Sequence, residues 1–232
     1  MKETMRNNEI SESSIEEMKI REAVQNSKFY DINGKYDRAK ADELVEKRLT
    51  DQPDNFKNEK LFLNGWKKIE KERSFLDNLD KVNPNRDKGR EWLINCQRCV
   101  PTYEMRRRGY DVTALPRMDE FGYDHLAYNP FDVWESPEVI RCSDSGKKDI
   151  ENIMSEWEDG SRAQIVVLWK GTNSGHTFTA EKINGEIKYY DPQTCKENVS
   201  DYFRYVEPGS TRFCRIDNLD VSHRIKECCK EV

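Results

Sequence analysis

The sequence predicts an α+β fold, and three observations carry the prediction. Helical periodicity occupies 91–109 and again 147–162, and an almost wholly apolar run follows at 163–170. An alternating segment, 175–183, and a returning strand, 186–191, then flank Asn184-Gly185. Helices that come first, with strands following as an antiparallel meander, give segregated α and β elements rather than alternating βαβ units.

The first 90 residues are dominated by Lys, Glu, Asp, Asn and Arg and carry no cysteine and one tryptophan, Trp66. Helical spacing is legible at 12–26 (Ile15, Met18, Ile20, Val24), at 37–50 (Ala39, Leu44, Val45, Leu49) and at 58–79 (Leu61, Phe62, Trp66, Ile69, Phe75, Leu79). These apolar stripes are narrow and the opposite faces are charged. Such helices pack weakly alone and read as an extension that docks on a partner or on the second half. Asn83-Pro84-Asn85 is a turn or linker signal. It divides the chain into a charged helical extension, 1–84, and a second unit, 85–232.

The second unit holds four of the five Trp, all seven Cys and all three His. In 91-EWLINCQRCVPTYEMRRRG-109 a helix starts near the cysteines and ends at Gly109, a residue suited to a left-handed cap. Proline fits the first turn of a helix and not deeper, so Pro101 places the start between Cys96 and Cys99. Residues 147–162 repeat Ile150, Ile153, Met154 and Trp157 at helical spacing, with Gly160 beyond the end. The β-branched run 163–170 reads as a buried strand. Residues 175–183 alternate His176, Phe178, Ala180 against Thr177, Thr179, Glu181, and Asn-Gly is a strong hairpin turn. Residues 211–219 alternate again as a fourth strand. Trp134, Trp157 and Trp169 are assigned to the core.

Composition excludes several functions. A net charge of −5 gives no case for bulk nucleic-acid binding. No run approaches the roughly 18–20 apolar residues of a membrane helix, and the N-terminal stretch has no apolar core of a secretory signal. An odd number of cysteines, two of them adjacent at 228 and 229, favours free thiols in a reducing compartment.

The chemistry turns on Asn95-Cys96-Gln97-Arg98-Cys99. Structural zinc usually takes two such pairs, and the chain offers one, so no metal or other cofactor is expected. A redox dithiol wants a strand before the motif, and helices precede it here. A thiol nucleophile fits better. A cysteine at a helix N-terminus feels the positive end of the dipole, and it requires a histidine and a group that orients that histidine. His176 opens a strand whose hairpin partner ends at Asp191. Counting from the turn places residue 192 opposite 176, with Asp191 one place off, and Gln193 is a second candidate to orient the ring or bind substrate. His125, in a loop-like stretch, and His223, near the charged tail, lack such surroundings. Arg106, Arg107 and Arg108 complement the dipole at the end of the helix. Cys142, Cys195 and Cys214 are read as small hydrophobes.

The block NCQRCVPTYEMRRRGYDVTALP, followed by GHTFTAEKINGEIKYYDPQT and FCRIDNL, resembles the papain-fold toxin family of glutamine-deamidase-like cysteine hydrolases, in versions associated with phage and prophage. The resemblance spans roughly 85–220; residues 1–84 resemble no family. It implies a papain-like fold and a Cys-His-Asp triad of Cys96, His176 and Asp191, acting on an amide of a protein substrate in the host cytoplasm or in association with a virion. Asn95, Cys99 and Gln193 take supporting or alternative roles. The resemblance favours Cys96 as nucleophile, whereas Pro101 favours Cys99 as the residue at the helix start. An immunity protein or phage structural protein is the partner this family implies. A non-enzymatic alternative is a phage head or assembly protein that keeps the fold as a scaffold.

Overall fold

The computed structural model describes Trp66, residues 79–117 and residues 124–232. The helices expected at 12–26, at 37–50 and, Trp66 and Leu79 apart, at 58–79 lie outside the described residues.

A short 3-10 turn, Arg90–Trp92, leads into the central helix α1, Cys96–Arg107. The other helices are α2, His125–Tyr128, α3, Lys147–Ser155, and α4, Ile225–Cys228. Six strands form an antiparallel sheet in the order β2-β7-β3-β4-β5-β6. They are β2, Ile140–Arg141, β3, Arg162–Leu168, β4, Gly175–Ile183, β5, Glu186–Asp191, β6, Lys196–Glu197, and β7, Arg212–Arg215. A separate two-stranded sheet pairs β1, Val112–Ala114, with β8, Cys229–Glu231. The α+β prediction is met. The meander covers β3 to β5, whereas β7 returns to pair with the far side of β3. The second predicted helix is shorter than its periodicity, ending at Ser155.

Helix α1 is buried on nearly every side, from Gln97 through Arg106, which is why its sequence shows no clean amphipathic stripe. Its N-terminus lies at Cys96, and the Asn95 carbonyl accepts from the amides of Arg98 (2.9 Å) and Cys99 (3.1 Å). Pro101 is therefore the sixth helical residue, deeper than the first-turn rule allows; it removes one N–H without ending the helix. The helix closes as expected at Gly109, at φ 93°. The Tyr110 amide bonds to the Met105 carbonyl and the Gly109 amide to the Arg106 carbonyl, both at 3.0 Å, the paired bonds of a Schellman cap.

The buried charges of α1 are compensated across the interface with the sheet. The Glu104 carboxylate receives Arg108 Nε at 2.7 Å and Arg162 through Nε at 2.6 Å and Nη2 at 3.0 Å. Glu181 on β4 receives the Tyr103 hydroxyl at 3.0 Å and the Arg107 guanidinium. Arg106 donates to the Val112 carbonyl at 2.6 Å. Arg108 also donates to the Ile216 carbonyl at 2.6 Å, so all three arginines contact tertiary partners beyond the helix dipole.

At the hairpin, Asn184 and Gly185 both take positive φ, 52° and 78°, as a primed two-residue turn requires. The register runs from Ile183↔Glu186 to Thr179↔Tyr190. Carried one step further it sets Asp191 opposite Phe178. The expected opposition of 176 and 192 is thus one residue out. Asp191 lies two places from His176, and an even offset puts both on one face of the sheet.

One core layer gathers Ile150, Met154, Ile165, Val167, Trp169, Phe178, Tyr202 and Phe213 between α3 and the sheet. A second, on the α1 side, includes Val100, Met105, Trp134, Ile216 and Ile225. Leu79 and Val82 are buried beside Cys99 and Tyr103, so packed structure extends to the N-terminal side of the Asn83-Pro84-Asn85 turn.

Removing one partner from a buried ion pair costs about 3–5 kcal/mol. Glu104→Ala, which leaves Arg108 and Arg162 facing each other, is expected to lose stability on that scale in urea unfolding, whereas Asp201→Ala, at an exposed pair with Arg204, is expected to stay within about 0.5 kcal/mol of the parent.

Candidate active site

Two cysteines one helical turn apart occupy different environments. Cys96, the first residue of α1, is partly exposed, and its Sγ lies 3.7 Å from Gln97 Oε1. Cys99 is fully buried and donates to Asn95 Oδ1 at 3.3 Å. Burial, and after it the nearby Cys96 and Asp191 charges, push the Cys99 thiol well above its ordinary range. All seven cysteines are free thiols.

The first turn of α1 is fixed by side chains around it. Asn95 is buried and does not cap the helix with its own side chain. Its Nδ2 donates to the Leu115 carbonyl at 3.0 Å, while its Oδ1 accepts from Asn83 at 3.3 Å and from Gln193 at 3.4 Å. On the other side, buried Asp124 accepts from Gln97 Nε2 at 2.9 Å and Arg98 Nη2 at 2.8 Å.

His176 is the second residue of β4 and is buried. Trp169 stacks on the imidazole with centroids 5.7 Å apart, and Tyr202 meets it edge-on at 5.8 Å. Nε2 lies 3.1 Å from Asp191 Oδ2. That oxygen also accepts from Thr194 Oγ1 at 2.8 Å and the Tyr202 hydroxyl at 2.9 Å, and Oδ1 accepts from the Gln193 amide at 3.0 Å. Nδ1 has no nitrogen or oxygen partner among the described residues, and the ring's other electrostatic neighbour is the Cys96 sulfur.

The charges follow from this geometry. Burial pulls the His176 pKa down, but the Asp191 carboxylate and then the Cys96 thiolate push it up to about 10. Burial alone would raise the Asp191 carboxyl; the His176 charge, followed by hydrogen bonds from His176, Thr194 and Tyr202, holds it below its ordinary value.

Cys96, His176 and Gln193 line one cavity of about 220 Å³ at the mouth of the sheet, together with Gln97, Ser174 and Gly175. The structure therefore brings Cys96, His176, Asp191, Gln193 and Asn95 into one neighbourhood and sets Cys99 behind it. His125 opens α2, in what the sequence presents as a loop, with Nε2 2.6 Å from Asp132, and lies away from the cavity lining, as does His223. Sequence reasoning missed Tyr202, Thr194 and Asp124, and it gave Trp169 only a core role. Tyr202, in the 3-10 helix Ser200–Tyr205, and Thr194 follow Asp191 closely in the chain, but no spacing rule marks a residue that folds back onto a carboxylate. Among the described residues no group of three or more His, Cys, Asp or Glu side chains is arranged to hold a metal, and no helix is long and apolar enough to cross a membrane.

The sign of the pH dependence is determined. His176 has a folded-state pKa above the ordinary value of about 6.5, so its contribution to stability is complete below that pH and is lost as pH rises through about 10. The stability difference between parent and His176→Gln is expected to shrink from neutral pH to about 10 in urea titrations. A difference that grows over that range would contradict the His176–Asp191–Cys96 coupling.

Residues 94–196 match the sequence model of the family described as papain fold toxin 1, glutamine deamidase. The match shows the resemblance to papain-fold toxins, and the order of α1 and the antiparallel sheet within it is that of a papain-like α+β fold. The matched stretch contains Asn95, Cys96, His176, Asp191 and Gln193. No curated protein matches the chain.

Proposed function

We propose that the chain is a cysteine-dependent amide hydrolase that deamidates protein glutamine through Cys96, His176 and Asp191. The observation that carries this reading is the division of labour at one imidazole. One ring nitrogen is held by a buried carboxylate with four donors, and the other has no nitrogen or oxygen partner among the described residues and shares a cavity with a thiol at a helix start. An imidazolium beside a thiol favours the thiolate, which is the reactive form. The match to a family described as glutamine deamidases supports the choice of substrate.

The reaction follows. The Cys96 sulfur attacks the carboxamide carbon, forming an S–C bond, and the carbonyl oxygen takes the displaced electron pair. First-turn N–H groups of a helix have no intrahelical acceptor and are suited to that oxyanion. His176 donates its proton to the leaving nitrogen, the C–N bond breaks, and ammonia departs. The neutral imidazole then takes a proton from water, whose hydroxide attacks the thioester. Glutamate is released and the thiol is restored. A peptide amide would follow the same steps with an amine as leaving group. Asp191 fixes the ring in the tautomer that offers Nδ1 to sulfur, and Tyr202 and Thr194 fix Asp191. Cys99 positions Asn95 and takes no part in bond making.

The enzyme, and a Cys96→Ser counterpart, incubated with a host lysate and read by mass spectrometry is expected to show glutamine-to-glutamate shifts with the active protein alone. New peptide termini instead would make it a protease, and neither change would favour a scaffold. Cys96→Ser and His176→Ala are each expected to lower kcat/KM by at least about 10²–10⁴. At about pH 6, His176→Ala is expected to slow alkylation of Cys96 by more than tenfold, whereas Cys99→Ala leaves that rate near the parent's.

A further inference from the structure

The lining of the cavity is one-sided in charge. The chain carries 44 Asp and Glu residues against 39 Lys and Arg, yet among the described residues no carboxylate lines the cleft, while Arg117 and Arg212 do. Arg117 lies 3.9 Å from buried Asp124. Arg212 has no such neighbour: among the described residues neither it nor Arg141 forms an ion pair. The two face each other directly, because β2 and β7 pair Arg141 with Arg212. Like charges directly opposite destabilise a sheet. Arg212 is half-buried, with its guanidinium 5.9 Å from the Phe131 ring centroid. Burial and then the Arg141 charge lower its pKa, as expected where a cation has no counter-charge.

The sheet also fixes where these charges stand relative to the reacting thiol. Thr177 pairs with Val166, and Val166 pairs with Arg212. Directly paired positions share a face, so Thr177, Val166, Arg212 and Arg141 form one row, and the first three line the cleft. Strands are about 4.8 Å apart, so the row sets Arg212 about 10 Å from the strand position next to His176. An extended peptide covers that span in about three residues.

We propose that Arg212, backed by Arg141, is a carboxylate-binding subsite of this cleft, selecting substrates that carry an anionic carboxylate about two to four residues from the attacked glutamine. The proposal rests on the amidase reading of Cys96 and His176. A planar guanidinium suits a carboxylate as a bidentate partner, and a bound anion also relieves the opposition between the two arginines. The carboxylate has two sources: an Asp or Glu side chain of a protein segment, or a chain terminus.

Two measurements on the full chain test it. In the first, Cys96 is alkylated with two iodoacetyl-capped peptides, one carrying Glu three residues from the reactive carbon and one carrying Ser there, and the modified protein is followed by mass spectrometry. The Glu-to-Ser rate ratio is expected to fall about tenfold in Arg212→Met and to recover in Arg212→Lys, a charge-assisted hydrogen bond being worth about that factor. His176 acts on the ratio equally in all three proteins, so a ratio unmoved by Arg212→Met overturns the subsite. The second compares deamidation of a glutamine peptide carrying Glu three residues away, the same peptide with Ser there, and a peptide ending in a free carboxylate at that distance. A preference for any carboxylate-bearing substrate that drops in Arg212→Met and returns in Arg212→Lys supports the subsite, and the preferred member identifies the source. Deamidation with equal rates on the Glu and Ser peptides, and no gain from a terminal carboxylate, overturns it and leaves the enzymatic reading intact. A responsive alkylation ratio without deamidation of any substrate keeps the subsite and removes the deamidase reading.

Discussion

The arrangement depends on how buried charge at one end of α1 is satisfied. Glu104 and Glu181 lie in the interface between helix and sheet, where an uncompensated ion costs several kcal/mol. Arg107, Arg108, Arg162 and Tyr103 satisfy them from both sides. The geometry that results works as a pair of rulers. From Arg107 back to Cys96 is eleven helical residues, about 16 Å. From Glu181 back to His176 is five strand residues, about 17 Å. Anchoring the far ends of two elements of matching length brings their near ends together, and those ends carry a thiol and an imidazole eighty residues apart in the chain. A one-turn slip of the helix would break the ion pairs before it reached the cleft.

Much of this was legible in the sequence. The Asn-Gly turn identified the hairpin, and the alternation of 175–183 placed His176 on the strand. The thiol, ring and carboxylate followed from chemistry and from family resemblance. The one-residue error in register came from counting from the turn without its closing pair, Ile183↔Glu186. Other features were hidden for physical reasons. A helix buried all round has no polar face to read, so the charges of α1 looked like surface. Strands of two or three residues, such as β2, β6 and β8, carry no periodicity. The return of β7 to β3 is a long-range pairing that no local window contains, and it alone puts Arg212 in the cleft.

The histidine's surroundings divide two tasks between two kinds of contact. Trp169, Phe178 and Tyr202 enclose the ring and limit its tilt, while Asp191 sets its rotation and charge. Asp191 is itself held by donors from the segment that follows it, so the carboxylate's orientation is encoded locally, within about a dozen residues. The helix turn that carries the thiol is instead held by distant parts of the chain: Asn83 and Gln193, which act on Asn95, and Asp124, which acts on Gln97 and Arg98.

Asn83 has a wider consequence. Its side-chain amide donates to the carbonyls of Trp92 and Gln193 and to Asn95 Oδ1, and the Val82 carbonyl accepts from the Ala114 amide. The short strap before the proline turn is therefore stitched both to the entrance of α1 and to the loop after β5. As a transferable module in evolution, the unit that bears the cleft cannot be excised at its most obvious joint. A recombination event that preserves the cleft has to carry Leu79, Val82 and Asn83 along, which ties whatever precedes them to a junction inside the folded body.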